Sequence, residues 1–127
     1  MKTTFTHAGN PCLVLNYGKQ ALLTKEIKYI VGDGNYSSIT TKTQGVLLSS
    51  FTLRLFSDSL GSFQNFFSPR KGLLINIDYL ENVFQKDGVY YAKMKDGNQH
   101  MLSRRKGRAF VEYLLSNELD NLVYTIK

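Results

Sequence analysis

The chain has 127 residues, 43% hydrophobic and 20% charged, with a formal net charge of +6. These proportions exclude wholesale disorder and suit a single domain whose core needs no covalent staple. One cysteine and two histidines exclude an internal disulfide framework and a typical Cys/His zinc site.

Along the chain, residues 1–19 read as an extension with one strand near Cys12–Leu15, followed by a turn at Asn16-Tyr17-Gly18. Ile27, Tyr29 and Val31 alternate, then Gly32-Asp33-Gly34-Asn35 turns the chain into a strand over Tyr36–Thr43. Gln44-Gly45 turns it again before Val46-Leu47-Leu48. Leu53, Phe56 and Leu60 form a helical stripe inside Ser50–Leu60, closed by Gly61. Leu73, Ile75, Ile77 and Tyr79 share one face of a strand and Asn76 and Asp78 the other, which predicts half burial. Asp87-Gly88 and Asp96-Gly97 punctuate residues 80–103 as an antiparallel meander. Phe110, Val111, Leu114 and Leu115 predict a second helix that Ser103 could cap from outside, and Leu122–Ile126 a last strand. The fold class is therefore mainly β with two short helices.

Apolar runs such as Cys12–Leu15 fall far short of the ~20 residues of a spanning helix. The N-terminus carries no signal-peptide core, so a cytoplasmic domain with no membrane partner is expected. Nothing reads as catalytic. His7 and Cys12 are close in sequence only, His100 has no evident partner, and the acids form no tight pair. Gly32-Asp33-Gly34 is better read as a β-turn than as a phosphate loop, because no helix follows it. No enzyme, cofactor, metal or small-molecule substrate is expected. Lys106–Tyr113 matches an RNA-recognition stretch at most positions, but Arg108 stands where an aromatic should stack a base. The same residues satisfy helical spacing.

The charge is concentrated. Nine basic and four acidic residues lie between Arg70 and Arg108, which leaves there five of the six net positive charges. Such a face suits an anionic partner, with a solvated surface as the alternative. In Ser103-Arg104-Arg105-Lys106-Gly107-Arg108 the cations would oppose the dipole of a following helix. Charge set against local stability suggests phosphate or guanine contacts, the alternative being a solvated loop. Pro69-Arg70-Lys71-Gly72 forms a second cluster just before a strand.

Phe66-Phe67-Ser68-Pro69-Arg70-Lys71-Gly72-Leu73-Leu74-Ile75-Asn76 resembles the central signature of LytTR-type DNA-binding domains. Ile27–Ile30 with Gly34-Asn35-Tyr36-Ser37 is similar to that family's first strand and turn. Leu102-Ser103-Arg104-Arg105 resembles its closing Ser-Arg-Arg. The match is strongest over residues 20–117, within a domain taken as 20–127.

The resemblance implies an elongated antiparallel β fold and a bacterial, response-regulator-like output domain that regulates transcription. It would bind specific double-stranded DNA, with loops entering successive major grooves. Ser37, Lys71 and Arg105 are the implied base-contacting positions. Asn35, Ser38, Arg70, Arg104 and Lys106 are the implied neighbours for phosphate contacts, while Asn76 is read as structural. Arg70-Lys71-Gly72 replaces the family's His-Arg-Ser, and Ser68 its usual arginine, which keeps the charge but alters base preference. The length leaves no room for a receiver or membrane domain, so a stand-alone regulator is expected, with a second copy on an adjacent repeat as a candidate partner. The rival expectation is a non-enzymatic protein-interaction module of LytTR-like fold, drawing on Phe63, Phe66 and Phe67 as exposed aromatics.

Overall fold

The computed structural model describes residues 2–5, 9–15, 20–61, 63 and 65–124. His7 and the Asn16-Tyr17-Gly18 turn lie outside them. Among the described residues, three antiparallel sheets and two α-helices make up the fold. Strands β1 (Lys2–Phe5), β2 (Pro11–Leu15) and β3 (Gln20–Leu23) form the first sheet, in that order. β1 has no counterpart in the sequence reading, because its residues do not alternate clearly.

The central sheet has five strands in the order β6-β5-β4-β8-β7. These are β4 (Ile27–Asp33), β5 (Tyr36–Thr41), β6 (Val46–Ser49), β7 (Phe66–Arg70) and β8 (Leu73–Asn76). The meander forms a third sheet from β9 (Leu80–Lys86), β10 (Val89–Met94) and β11 (Gln99–Met101). Asp87 takes a left-handed φ of 52° in its first turn, as a two-residue hairpin requires.

The central sheet carries a core on each face. One contains Leu13, Leu15, Leu22, Ile30, Phe56 and Leu74, contributed by the first sheet, α1 (Leu53–Leu60) and the central sheet. The other contains Tyr29, Leu73, Ile75, Val83, Phe110 and Leu114, from the third sheet, α2 (Arg104–Ser116) and the opposite sheet face. Burying side chains such as Phe56 and Phe110, both 0% exposed, stabilises by about 1.5–3 kcal/mol each.

Two expectations are corrected by this double core. β8 is buried on both faces, not half buried, and ends at Asn76, where a 3-10 turn over Ile77–Tyr79 begins. An interior strand between two cores has no solvent face. Ile27 and Tyr29 do not share a face either, because a register shift between them sends each to a different core.

Asn76 has the structural role expected of it. It is 0% exposed, its Nδ2 donates to the Ile27 carbonyl at 2.9 Å, and its Oδ1 accepts from Asn65 Nδ2 at 3.1 Å and Asp78 N at 3.0 Å. The aromatics invoked for the interaction module are packed inward. Phe66 is buried, Phe63 packs against the first core, and Phe67 stacks on Phe110 with centroids 4.7 Å apart. In the second helix Leu115 is exposed, unlike Phe110 and Leu114. The expected last strand reduces, within the described residues, to a bridge between Val123 and Val83 after a 3-10 turn at Asp120–Leu122. No described helix is long and apolar enough to cross a membrane.

Candidate nucleic-acid interface

Sheet register brings two distant turns together. β4 runs antiparallel to β8 with Val31 opposite Leu73, so the end of β4 and the start of β8 share one end of the sheet. The β4–β5 turn at Gly34-Asn35 and the β7–β8 turn at Lys71-Gly72 therefore lie side by side. The Gly32 amide donates to the Gly72 carbonyl at 2.9 Å and fastens one to the other. Gly72 has a φ of +83°, a backbone region that suits glycine.

Local chemistry shapes the central turn. Pro69 offers no amide donor and sits on an edge strand, where none is needed. The β7–β8 register shifts between Phe67 and Arg70. The Ser68 hydroxyl lies 3.0 Å from the Arg70 carbonyl and 2.8 Å from that of Leu73, and donates across the turn. Where the family carries an arginine, this chain has a hydroxyl directed into its own backbone. Lys71 is exposed and Arg70 half-buried.

The third contributor is α2, which starts earlier than its apolar stripe predicts. Ser103 is its N-cap, with Oγ accepting from the Lys106 amide at 3.3 Å. The basic cluster is thus the first helical turn and not a loop before it. Arg104, Arg105 and Lys106 are all exposed. Phe110 and Tyr113 hold α2 against Phe67 on β7, with Tyr113 and Phe67 centroids 5.0 Å apart. That docking places Lys106 beside the central turn. A cleft of about 260 Å³ is lined by Lys106, Lys71, Ser68 and, from α1, Arg54, Ser57 and Asp58.

Of the positions implied by the sequence, Asn35 is exposed at the first turn and Ser38 is half-buried on β5 opposite Val31. Ser37 must be corrected. It is 1% exposed and its hydroxyl donates to the Phe51 carbonyl at 2.8 Å, so it is not presented to a base. Alternation along β5 turns it inward. Two residues near the site were not connected to it by the sequence. Arg54 lines the cleft, and its place on the polar side of the Leu53, Phe56, Leu60 stripe was the available signal. His100 lies within electrostatic reach of Arg70, a proximity that no sequence spacing announces.

Behind the interface is a polar cluster. The Tyr29 hydroxyl donates to Asp96 Oδ2 at 3.1 Å and accepts from Asn98 Nδ2 at 2.7 Å. His100 packs edge-on against Tyr29 at 4.7 Å. Burial, and then the Arg70 charge, hold the His100 pKa below the ordinary 6.5, against the pull of Asp96. Burial also raises the Tyr29 pKa, with Asp96 adding to it. For Asp96, burial pushes upward, but hydrogen bonds from Asn98 and Tyr29 and the Lys28 charge win and lower it. Arg70 Nε and His100 Nε2 are buried without a hydrogen-bond partner among the described residues.

An antiparallel β domain that gathers three basic or polar segments at one sheet end has the form of a binding domain for a polyanion. The family model described as LytTr DNA-binding domain matches residues 19–115, and the chain belongs to that family. It is a DNA-binding domain of a family concerned with transcription regulation. Among solved structures, it is similar to the LytTr DNA-binding domain of a Bacillus cereus protein assigned as a methyl-accepting/DNA response regulator. The TM-score is 0.65 at 11% identity, covering 81% of this chain and 95% of that one, a likeness of fold. A comparison with curated proteins finds no match.

Proposed function

We propose that the chain is a non-enzymatic regulator that reads specific duplex DNA sequences in the major groove through its turns and the start of α2. The observation that carries this reading is the convergence of Lys71 and Lys106 on one cleft, beside a first turn fastened through Gly32 and Gly72. Lys71 and Arg105 are the base-contacting residues. Asn35, Ser38, Arg70, Arg104 and Lys106 contact phosphates, and Ser37 supports the turn from within. The division into an extension over 1–19 and a DNA-binding domain over 20–127 belongs to the same proposal, as do a cytoplasmic, bacterial setting and a second copy on an adjacent repeat.

Lysine at position 71 donates as a point charge, where arginine would offer guanine a planar fork. Base preference at that step should be correspondingly relaxed. Binding should weaken steeply with salt as neutralised phosphates release counterions. Selection from a random duplex pool near physiological salt tests the proposal. Enrichment of a short motif by the wild type, lost in Lys71→Ala and Arg105→Ala, is expected. Salt-sensitive binding with no enriched motif would remove sequence reading from the account.

A further inference from the structure

The described surface contains several unassigned features. Val46 and Leu48 are exposed on the edge strand β6, but nothing adjacent indicates what would cover them. His100 is partly shielded, but it sits behind the interface and not on it. The cleft between α1, the β7–β8 turn and α2 carries more.

Three cations far apart in sequence line that cleft: Arg54, Lys71 and Lys106. Each is exposed, and none makes an ion pair among the described residues. One carboxylate, Asp58, shares the cleft four residues after Arg54, so cations outnumber acids three to one. The cleft has a volume of about 260 Å³. That suits one phosphate with part of its hydration, and lies below the usual range for a drug-sized ligand.

We infer that Arg54 and Lys106 form a seat for a single phosphate group, with Lys71 at its rim. The inference rests on the DNA-binding reading for its main occupant, a backbone phosphodiester of the duplex. Arg54 is the new element, since it adds α1 to the interface. A guanidinium can grip two phosphate oxygens at once, whereas an ammonium acts as a point charge. The close fit of α1 on β4 keeps the seat in place, because Leu53 leaves no space for a side chain at Gly32. A phosphate held between Arg54 and Lys106 sets the distance from which Lys71 reaches a base edge. The seat supplies register and Lys71 supplies discrimination.

The test uses the whole chain and Arg54→Gln, with Arg54→Lys as the charge-retaining control and a thermal melt to confirm folding. Duplex affinity is measured by fluorescence anisotropy over a salt series, on selected and scrambled sequences. Arg54→Gln should weaken both duplexes by the same factor. Its log–log salt slope should be shallower by about 0.9, so its deficit against wild type shrinks about 3.5-fold over a fourfold rise in salt. Arg54→Lys should restore the slope and only part of the affinity. Tight duplex binding with an unchanged slope in Arg54→Gln would overturn the seat and leave the DNA-binding reading standing. Should the wild type bind no duplex, that reading falls, and an NMR titration with inorganic phosphate decides the seat alone. Saturable shifts at Arg54 Nε–H and the Lys106 amide, absent in Arg54→Gln, would retain it as a free-phosphate site; no shifts would overturn it.

Discussion

The Gly32 amide and the Gly72 carbonyl, 2.9 Å apart, join two hairpin turns separated by forty residues of chain. The two glycines are constrained for different reasons. A Cβ at Gly32 would stand 2.9 Å from Leu53 Cβ, so Gly32→Ala must push α1 away from β4. A Cβ at Gly72 would make only an ordinary 3.7 Å contact with the Gly32 carbonyl oxygen, but the residue has a φ of +83°. Gly72→Ala should cost about 1–2 kcal/mol through backbone strain, and Gly32→Ala about 1–3 kcal/mol through overpacking. Urea denaturation measures both. Only Gly32→Ala should also shift the amide resonances of α1, and equal α1 shifts in both variants would contradict the distinction.

Arg105 stands in the first turn of α2, where a cation opposes the helix dipole. Arg105→Glu should therefore stabilise the free protein by about 0.3–1 kcal/mol at low salt while sharply weakening duplex binding. Opposite movements of stability and affinity would show that the cluster is kept for a partner. A variant that loses both would place Arg105 in the fold instead.

His100 should make stability depend on pH. Its folded pKa is depressed, so the unfolded chain takes up the proton more readily. The contribution is complete above the ordinary value of 6.5 and is lost as pH falls from there toward the lower folded value. His100→Gln should flatten this slope between neutral and mildly acidic pH, as read by urea midpoints. An unchanged slope would assign the dependence to other groups.

Asn76 ties β4, the segment before β7 and the 3-10 turn together with three hydrogen bonds. Asn76→Ala strands the Ile27 carbonyl and the Asp78 amide, and should cost about 1–3 kcal/mol or more. Chemical denaturation gives the figure, and a loss under half a kcal/mol would mean that water replaces the side chain without penalty.

Much of this architecture was legible in the chain. Gly-containing turns separated β4, β5 and β6, and Asp87-Gly88 and Asp96-Gly97 marked the third sheet. The Phe66–Asn76 signature pointed to the family that the match over 19–115 establishes. What was hidden depends on pairing between distant strands. Period-two alternation could not show that β8 lies between two cores, nor that a bulge parts Ile27 from Tyr29. Ser37 followed the family's motif in sequence, yet the β5 pleat turns its hydroxyl toward Phe51. Arg54 reads as one more charge on a helix until α1 is docked beside Lys71 and Lys106.

In the proposed function the β4–β5 turn, the β7–β8 turn and the start of α2 act as one DNA-reading surface. The most direct measurement is amide chemical-shift mapping of the chain with its selected duplex and with a scrambled control. Large shifts are expected at Asn35, Lys71 and Arg104–Lys106 on the selected duplex, weaker ones on the control, and little change at Val46 and Leu48. Shifts centred on β6 and sparing the three basic segments would contradict that function.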